Sequence, residues 1–90
     1  MILLKSHHFV YSKLIEMDKL EFRIAFGKRV EMFRKKLNLS YRELAQKCDV
    51  DHSNISKIEK GEVDLRISTI QELAKGLDVH PQELFDFKLK

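Results

Sequence analysis

The sequence is poor in the residues that cross-link or interrupt a small chain. Its 90 residues include one cysteine, one proline, three glycines and no tryptophan. The single thiol, Cys48, cannot form an internal disulfide, and the four histidines have no second thiol with which to make a zinc-ligand pattern. We therefore expect a chain without metal or cofactor that works in a reducing cytoplasm.

Long apolar runs are also missing. No segment approaches the roughly 20 consecutive apolar residues of a membrane helix, and Lys5 interrupts the apolar start of the chain too early for a secretory signal. A content of 43% hydrophobic and 34% charged residues is instead typical of one small domain. Since no nucleophile and base, phosphate loop or metal set appears at recognisable spacing, we expect neither an enzyme nor a membrane protein.

The formal net charge is only +3, but the charge is unevenly distributed. Between residues 28 and 61 there are nine basic and five acidic residues, a net of +4, whereas residues 62–90 carry four basic and six acidic residues, a net of −2. Nucleic-acid binding depends on where the charge lies rather than on its sum. The middle of the chain is therefore the part expected to meet an anion.

Scarce proline and glycine favour helices throughout the chain. A first helix over residues 20–37 is predicted by one helical stripe of apolar side chains, which consists of Phe22, Phe26, Val30, Phe33 and Leu37. Asn38 is expected just past its end, because asparagine tolerates the left-handed backbone found there. Ser40 and Glu43 have the spacing of a capping box, which predicts a second helix that runs through Cys48.

Three more helices are predicted after the second. Asp51 is a good N-cap for a third helix that buries Ile55 and Ile58 and ends at Gly61. A fourth helix is predicted by the apolar repeat of Ile67, Ile70, Leu73, Ala74 and Leu77. Pro81 then opens a short fifth helix. Residues 1–19 fit a strand or a helix equally well, so we treat 1–19 as an extension of undetermined structure and 20–90 as the domain.

Two short helices across a tight turn form a helix-turn-helix. Three blocks extend this pattern: LSYRELA at residues 39–45, VDHSNISKIEKG at 50–61, and LAKGLDV followed by PQELF between 73 and 85. With these blocks, residues 22–85 closely resemble the Cro/repressor-type helix-turn-helix family of prokaryotic DNA-binding domains. The resemblance implies an all-α, five-helix domain that is dimeric on double-stranded DNA, with the third helix in the major groove.

The same resemblance implies roles for individual residues. His52, Ser53 and Lys57 are the expected base-reading side chains. The other expected DNA contacts, mostly to phosphates, are Tyr41, Arg42, Asn54, Ser56, Lys60 and Arg66. The alternative for this group is an ordinary solvated helix face without function. Arg34 and Glu59 are expected to form a structural ion pair between the first and third helices, and Cys48 a packed core thiol.

Three positions depart from the family pattern. Tyr41 stands where glutamine is common, which changes the reach of a phosphate contact at the start of the second helix. Asp49 replaces a frequent glycine in the turn, so we expect it to hold a left-handed backbone at some cost. Arg66 replaces the usual serine or threonine cap of the fourth helix.

The leading functional hypothesis is a sequence-specific transcription regulator that binds an inverted repeat as a homodimer. Within that class the sequence looks most like the small controller proteins of restriction–modification systems. A plasmid or phage regulator fits the sequence nearly as well. We expect the dimer interface near the C-terminus, because little of the chain remains to bury its apolar residues, Leu84, Phe85, Phe87 and Leu89. The alternative is an antitoxin or protein-interaction module that binds a toxin through residues 1–19 or this apolar tail.

Overall fold

The computed structural model describes residues 18–88. The helices are α1 (Lys19–Lys36), α2 (Tyr41–Lys47), α3 (His52–Glu59), α4 (Ile67–Leu77) and a closing 3-10 helix (Pro81–Phe85). This part of the chain contains no strand, in agreement with the all-helical prediction. The predicted fifth helix is present, but it is a 3-10 helix of five residues rather than an α-helix, a form that occurs mostly in such short pieces. The predictions for residues 1–17 and for Leu89 lie outside the described residues.

Local caps set the boundaries around α2. Asn38 has a φ of 58° just past the end of α1, as predicted. The Ser40 hydroxyl accepts the Glu43 N–H at 3.1 Å, and the Glu43 carboxylate accepts the Ser40 N–H at 2.8 Å, which confirms the capping box. The expectation for Asp49 is wrong: its φ is not positive, and its N–H instead donates to the Glu72 carboxylate at 2.8 Å, which holds the turn against α4.

The core draws on every helix of the described chain. Helix α3 packs against α1 and α2, α4 packs against α2, and the 3-10 helix packs against α1. The buried apolar side chains are Phe26, Val30, Leu44, Val50, Ile55, Ile58, Leu73, Ala74, Leu77 and Leu84. Because Ile55 and Ile58 both point into this core, α3 is fixed with one face inward and the opposite face toward solvent.

Two glycines allow α1 and the end of α3 to approach closely. A Cβ atom on Gly27 would lie 2.4 Å from the carbonyl oxygen of Ile58 and 2.5 Å from that of Glu59. Gly61 has a φ of 74°, and a Cβ atom there would lie 2.7 Å from the Ile24 side chain. Helix α3 therefore ends with its backbone directly against α1.

The apolar repeats predict buried faces less well at the helix ends. Ile67, the first residue of α4, is 84% exposed, and Leu37, the C-cap of α1, is 47% exposed. Periodicity defines the face of a helix but not how far neighbouring elements cover it. The prediction that Ile67 belongs to the core is therefore wrong.

The C-terminal apolar residues pack largely within the same chain. Leu84 is fully buried. The ring centroid of Phe85 lies 5.1 Å from that of Phe26, and the Phe87 ring lies 5.3 Å from that of Phe22, edge to face. The prediction that Leu84 faces a partner subunit is therefore wrong, because α1 supplies an aromatic surface that the tail covers.

An arginine further ties the 3-10 helix to α1. The Nε and Nη2 atoms of Arg29 donate to the carbonyl oxygen of Glu83 at 3.0 and 2.8 Å. The same guanidinium lies 4.9 Å from the ring centroid of Phe33. Two charge-assisted hydrogen bonds to one backbone carbonyl thus position the C-terminal segment on α1.

Candidate nucleic-acid interface

Helices α2 and α3 pack against each other across residues 48–51, the arrangement of a helix-turn-helix. The inner side of α3 is formed by Ile55, Ile58 and Glu59, all buried. The outward stripe of α3 follows the helical spacing i, i+3, i+4 and i+7 and consists of Ser53, Ser56, Lys57 and Lys60. Two hydroxyls and two ammonium groups therefore share one face.

The structure brings most of the expected DNA contacts of the third helix to this face. Ser53, Lys57 and Lys60 are exposed. His52, Asn54 and Ser56 are half-buried at its edges. The outward stripe carries no carboxylate, because the one acidic residue within α3, Glu59, points inward. The ammonium groups of Lys57 and Lys60 therefore give the middle and the C-terminal end of the stripe a positive charge that suits a polyanion.

Asp51 organises the start of α3. It is the N-cap, and its Oδ2 atom accepts both the N–H of Ser53, at 3.1 Å, and the hydroxyl of Ser53. The Oδ1 atom lies 3.7 Å from Nδ1 of His52. The hydrogen bond from the Ser53 hydroxyl is the main cause that lowers the pKa of Asp51 below its ordinary value. The carboxylate is therefore ionised at neutral pH.

A buried ion pair joins α1 to the last turn of α3. Nε of Arg34 donates to Oε2 of Glu59 at 2.6 Å, and Nη2 donates to Oε1 at 2.9 Å. The two residues are only 8% and 7% exposed. The hydrogen bond to Glu59 raises the pKa of Arg34 above its ordinary value. The structure thus brings together the two residues expected to pair.

Tyr41 lies against this pair. The guanidinium carbon of Arg34 is 4.3 Å from the Tyr41 ring centroid, and Nη1 of Arg34 donates to the Leu39 carbonyl oxygen at 2.7 Å. The Tyr41 ring is half-buried, so it has a packing role in addition to the phosphate contact predicted for it. The spacing of residues along the sequence gives no indication that an aromatic ring stacks on a buried guanidinium.

The remaining expected phosphate contacts lie around α3 on other elements. Arg42 is exposed in the first turn of α2. Arg66 is the N-cap of α4; it is exposed, and its side chain makes no capping hydrogen bond. Both side chains keep their donors available to a ligand. Their contact with DNA stays a prediction.

Cys48 is not arranged as a reactive thiol. It is half-buried at the end of α2, and its Sγ atom lies 3.4 Å from the carbonyl oxygen of Leu44. Burial raises the pKa of the thiol above its ordinary value, which reduces the thiolate fraction at neutral pH. The chain between residues 18 and 88 also holds no group of three histidine, cysteine or acidic side chains placed to bind a metal ion. In the same range no helix combines the length and the apolar character needed to cross a bilayer.

The family assignment follows from both the fold and the sequence. A family model described as helix-turn-helix matches residues 30–84, which is more than half of the chain and includes α2, the turn and α3. The chain belongs to this family, in its Cro/C1-type branch of DNA-binding transcription regulators.

Two known proteins are similar to this chain, one in sequence and the other in both sequence and fold. The chain is 38% identical over 66 residues to the control protein C.BamHI of Bacillus amyloliquefaciens, which corresponds to 72% of this chain and 82% of that protein. Its fold is similar to the crystal structure of the restriction-modification controller protein C.AhdI from Aeromonas hydrophila, with a TM-score of 0.68 and 33% sequence identity. That similarity covers 70% of this chain and 96% of C.AhdI.

Proposed function

We propose that this protein is a sequence-specific transcription regulator of the restriction–modification controller type, which binds an inverted-repeat operator as a homodimer. The observation that carries the proposal is the outward stripe of α3, with two hydroxyls, two lysines and no carboxylate on the side of the helix that is turned away from the core. The similarity to two controller proteins supports the regulatory class.

In this proposal the stripe enters the major groove. His52, Ser53 and Lys57 would read base edges, with Lys57 suited to the O6 and N7 atoms of guanine. The surrounding side chains would fix the orientation of the domain by contacts to the DNA backbone; these are Tyr41, Arg42, Asn54, Ser56, Lys60 and Arg66. The net positive charge of residues 28–61 supports this orientation.

Dimerisation follows from the small number of base contacts that one α3 can make. Each good contact contributes about 1–3 kcal/mol of discrimination, so two half-sites are the usual route to useful specificity. A two-fold dimer would place the two recognition helices about 34–36 Å apart, in successive major grooves. The C-terminal third is net acidic and, apart from Arg66 near its start, does not suit DNA, so it is free to form that contact.

The apolar side chains still exposed in the C-terminal third define the proposed interface. Phe85 is 39% exposed and Ile67 is 84% exposed. Phe87, half-buried against Phe22, would lie at the edge of the contact, and we propose Leu89 as a further member. Sedimentation equilibrium should show a dimer for the intact chain and a monomer for Phe85→Asp. Gln82→Asp, on the same 3-10 helix, is the control that should stay dimeric.

The interface proposal has two contrary outcomes. A monomer at all concentrations of the intact chain would contradict dimerisation itself. A dimer that survives both Phe85→Asp and Ile67→Asp would place the contact elsewhere. Circular dichroism of each variant would separate loss of association from loss of folding.

The operator itself is tested by selection from random duplex DNA with the purified protein. We expect a palindromic consensus with half-site centres separated by one helical turn or a multiple of it. Enrichment of no sequence would contradict sequence-specific binding, and enrichment of a single asymmetric site would contradict the two-fold complex.

The antitoxin alternative is less well supported by the described residues. Its first basis, the apolar tail, is only partly available: Leu84 is buried, and Phe85 and Phe87 pack on α1. The 39% of Phe85 that stays exposed fits a second copy of this chain equally well. Its second basis, residues 1–19, lies almost entirely outside the described range. No feature of residues 18–88 specifically favours a toxin as the partner.

A further inference from the structure

Ser53 occupies the second position of α3, close to the end of the helix that would meet base edges. Its hydroxyl does not simply face solvent. Both its O–H and its backbone N–H are directed at Oδ2 of Asp51. The Ser53 side chain therefore has a defined orientation before any ligand binds.

The direction of this hydrogen bond limits what Ser53 can do. An ionised carboxylate only accepts hydrogen bonds, so the single hydroxyl hydrogen of Ser53 points toward Asp51. What remains on the outward side of the oxygen is its lone pairs. In this arrangement Ser53 is an acceptor toward a ligand.

A hydrogen-bond acceptor that lies beside a carboxylate favours contact with some chemical groups of a DNA duplex over others. Phosphate oxygens are themselves acceptors, and the Asp51 charge repels them, so a phosphate contact at Ser53 is disfavoured. The major groove, in contrast, presents amino groups as donors: N6 of adenine and N4 of cytosine. Ser53 thus fits a base amino group better than the DNA backbone.

The geometry points to Asp51 as a positioning residue for base recognition: it holds the Ser53 hydroxyl as an acceptor, so that this position of α3 reads the amino group of an adenine or a cytosine. The inference rests on the proposed function, because it requires α3 in the major groove. It assigns to Asp51 a role beyond capping the helix, without direct contact to DNA.

The test combines three variants with chemically altered operators. Ser53→Ala removes the acceptor. Asp51→Gly removes the positioning carboxylate but keeps a residue that tolerates the N-cap position, and Asp51→Asn restores an oxygen at the same place without the charge. Asp49→Gly, in the adjacent turn, is the control for removal of one nearby negative charge.

The probes are operator duplexes in which single bases lack one group. Purine replaces adenine and pyrimidin-2-one replaces cytosine, which deletes the amino group, while 7-deazaadenine deletes only the N7 acceptor. With the intact protein, we expect one amino deletion per half-site to weaken binding roughly tenfold through contact with Ser53. That same deletion should have no effect on Ser53→Ala and a clearly reduced effect on Asp51→Gly, because a hydroxyl that is no longer oriented still has lone pairs but accepts less consistently. It should keep close to its full effect on Asp51→Asn and Asp49→Gly.

Several outcomes would overturn the inference. One is that every amino deletion lowers the affinity of the intact protein and of Ser53→Ala by the same factor, although both bind the operator specifically. Another is that Asp51→Gly stays as sensitive to the deletion as the intact protein. A third is that Asp51→Gly loses the sensitivity while Ser53→Ala keeps it, since the carboxylate would then contact the base itself. If the intact protein selects no operator, the proposed function fails first.

Discussion

Arg34 on α1 and Glu59 in the last turn of α3 are joined by two hydrogen bonds, each between a different nitrogen and a different carboxylate oxygen. Arg34 also donates to the Leu39 carbonyl oxygen in the loop before α2. The pair therefore connects α1, the entry to α2 and the end of α3. We expect this contact to hold α3 in place on the domain.

Removing one partner of the pair should be strongly destabilising. Glu59→Gln leaves the Arg34 charge buried without a counter-charge, and we expect a decrease of about 3–5 kcal/mol in the free energy of unfolding. Glu62→Gln, an exposed residue just after Gly61, is the matched control and should change it by less than about 0.5 kcal/mol. Urea denaturation measures both. Equal free energies of unfolding for the two variants would refute a structural role for the pair.

The close approach of α1 and α3 predicts a second stability difference. In Gly27→Ala the new methyl group would meet backbone carbonyl oxygens of α3 at 2.4 and 2.5 Å, which cannot be relieved by moving a side chain. We expect the free energy of unfolding to fall by about 1–3 kcal/mol despite the better helix propensity of alanine.

Gly76→Ala in α4 is the control for this substitution. Its nearest atoms belong to side chains, with the Leu44 Cδ1 atom at 3.0 Å and the Cys48 Cβ atom at 3.1 Å, so a shift of a few tenths of an ångström is enough to admit the methyl group. Both glycines lie within helices, so the propensity gain is similar. If Gly27→Ala is as stable as Gly76→Ala by thermal denaturation, the two helix backbones are not in contact.

The sequence predicts best what is determined locally. Ser40 and Glu43 define a capping box by spacing alone, and Asn38 is one of the few residues that accept a positive φ, so the boundaries around α2 could be predicted. The apolar stripe also defines which side of α3 is buried and hence which polar residues point outward. These steps depend only on neighbours a few positions apart.

What the sequence did not predict depends on distant parts of the chain. The exposure of Ile67 depends on where the neighbouring helices stop, and the burial of Leu84 depends on the aromatic surface of α1. The bonds of Arg29 to the Glu83 carbonyl oxygen join residues that are 54 positions apart and follow no motif. The orientation of the Ser53 hydroxyl by Asp51 is local, but it requires atomic positions rather than residue types.

A phosphate contact by Lys60 predicts a change in salt dependence. Lys60→Ala should weaken binding to all sequences alike. It should also reduce the slope of log K against log salt by about one unit for each ammonium–phosphate pair that is removed, which is about two units for a symmetric dimer. Fluorescence anisotropy titrations from low to physiological salt measure this slope. Lys75→Ala, an exposed lysine on α4, should leave the slope unchanged. Identical slopes for Lys60→Ala and the intact protein would exclude the contact.

Burial of Cys48 predicts a stability change at alkaline pH. The pKa of the thiol is raised in the folded state, so the unfolded chain loses this proton first as pH rises. The contribution is therefore fully present below the unfolded thiol pKa of about 8.5 and declines above it. We expect Cys48→Ala to flatten the fall in unfolding free energy above about pH 8.5. An unchanged pH profile for Cys48→Ala would contradict the burial effect.

The central claim is that the outward face of α3 is the surface that reads the bases. Its most direct test is the ratio of two affinities, one for the selected operator and one for a scrambled duplex. This ratio is measured for the intact protein and for the triple variant His52→Ala, Ser53→Ala and Lys57→Ala. These side chains lie outside the core, so the variant should fold, and its ratio should fall by about a hundredfold or more. A folded triple variant that retains the same ratio for the same operator would contradict base recognition by α3.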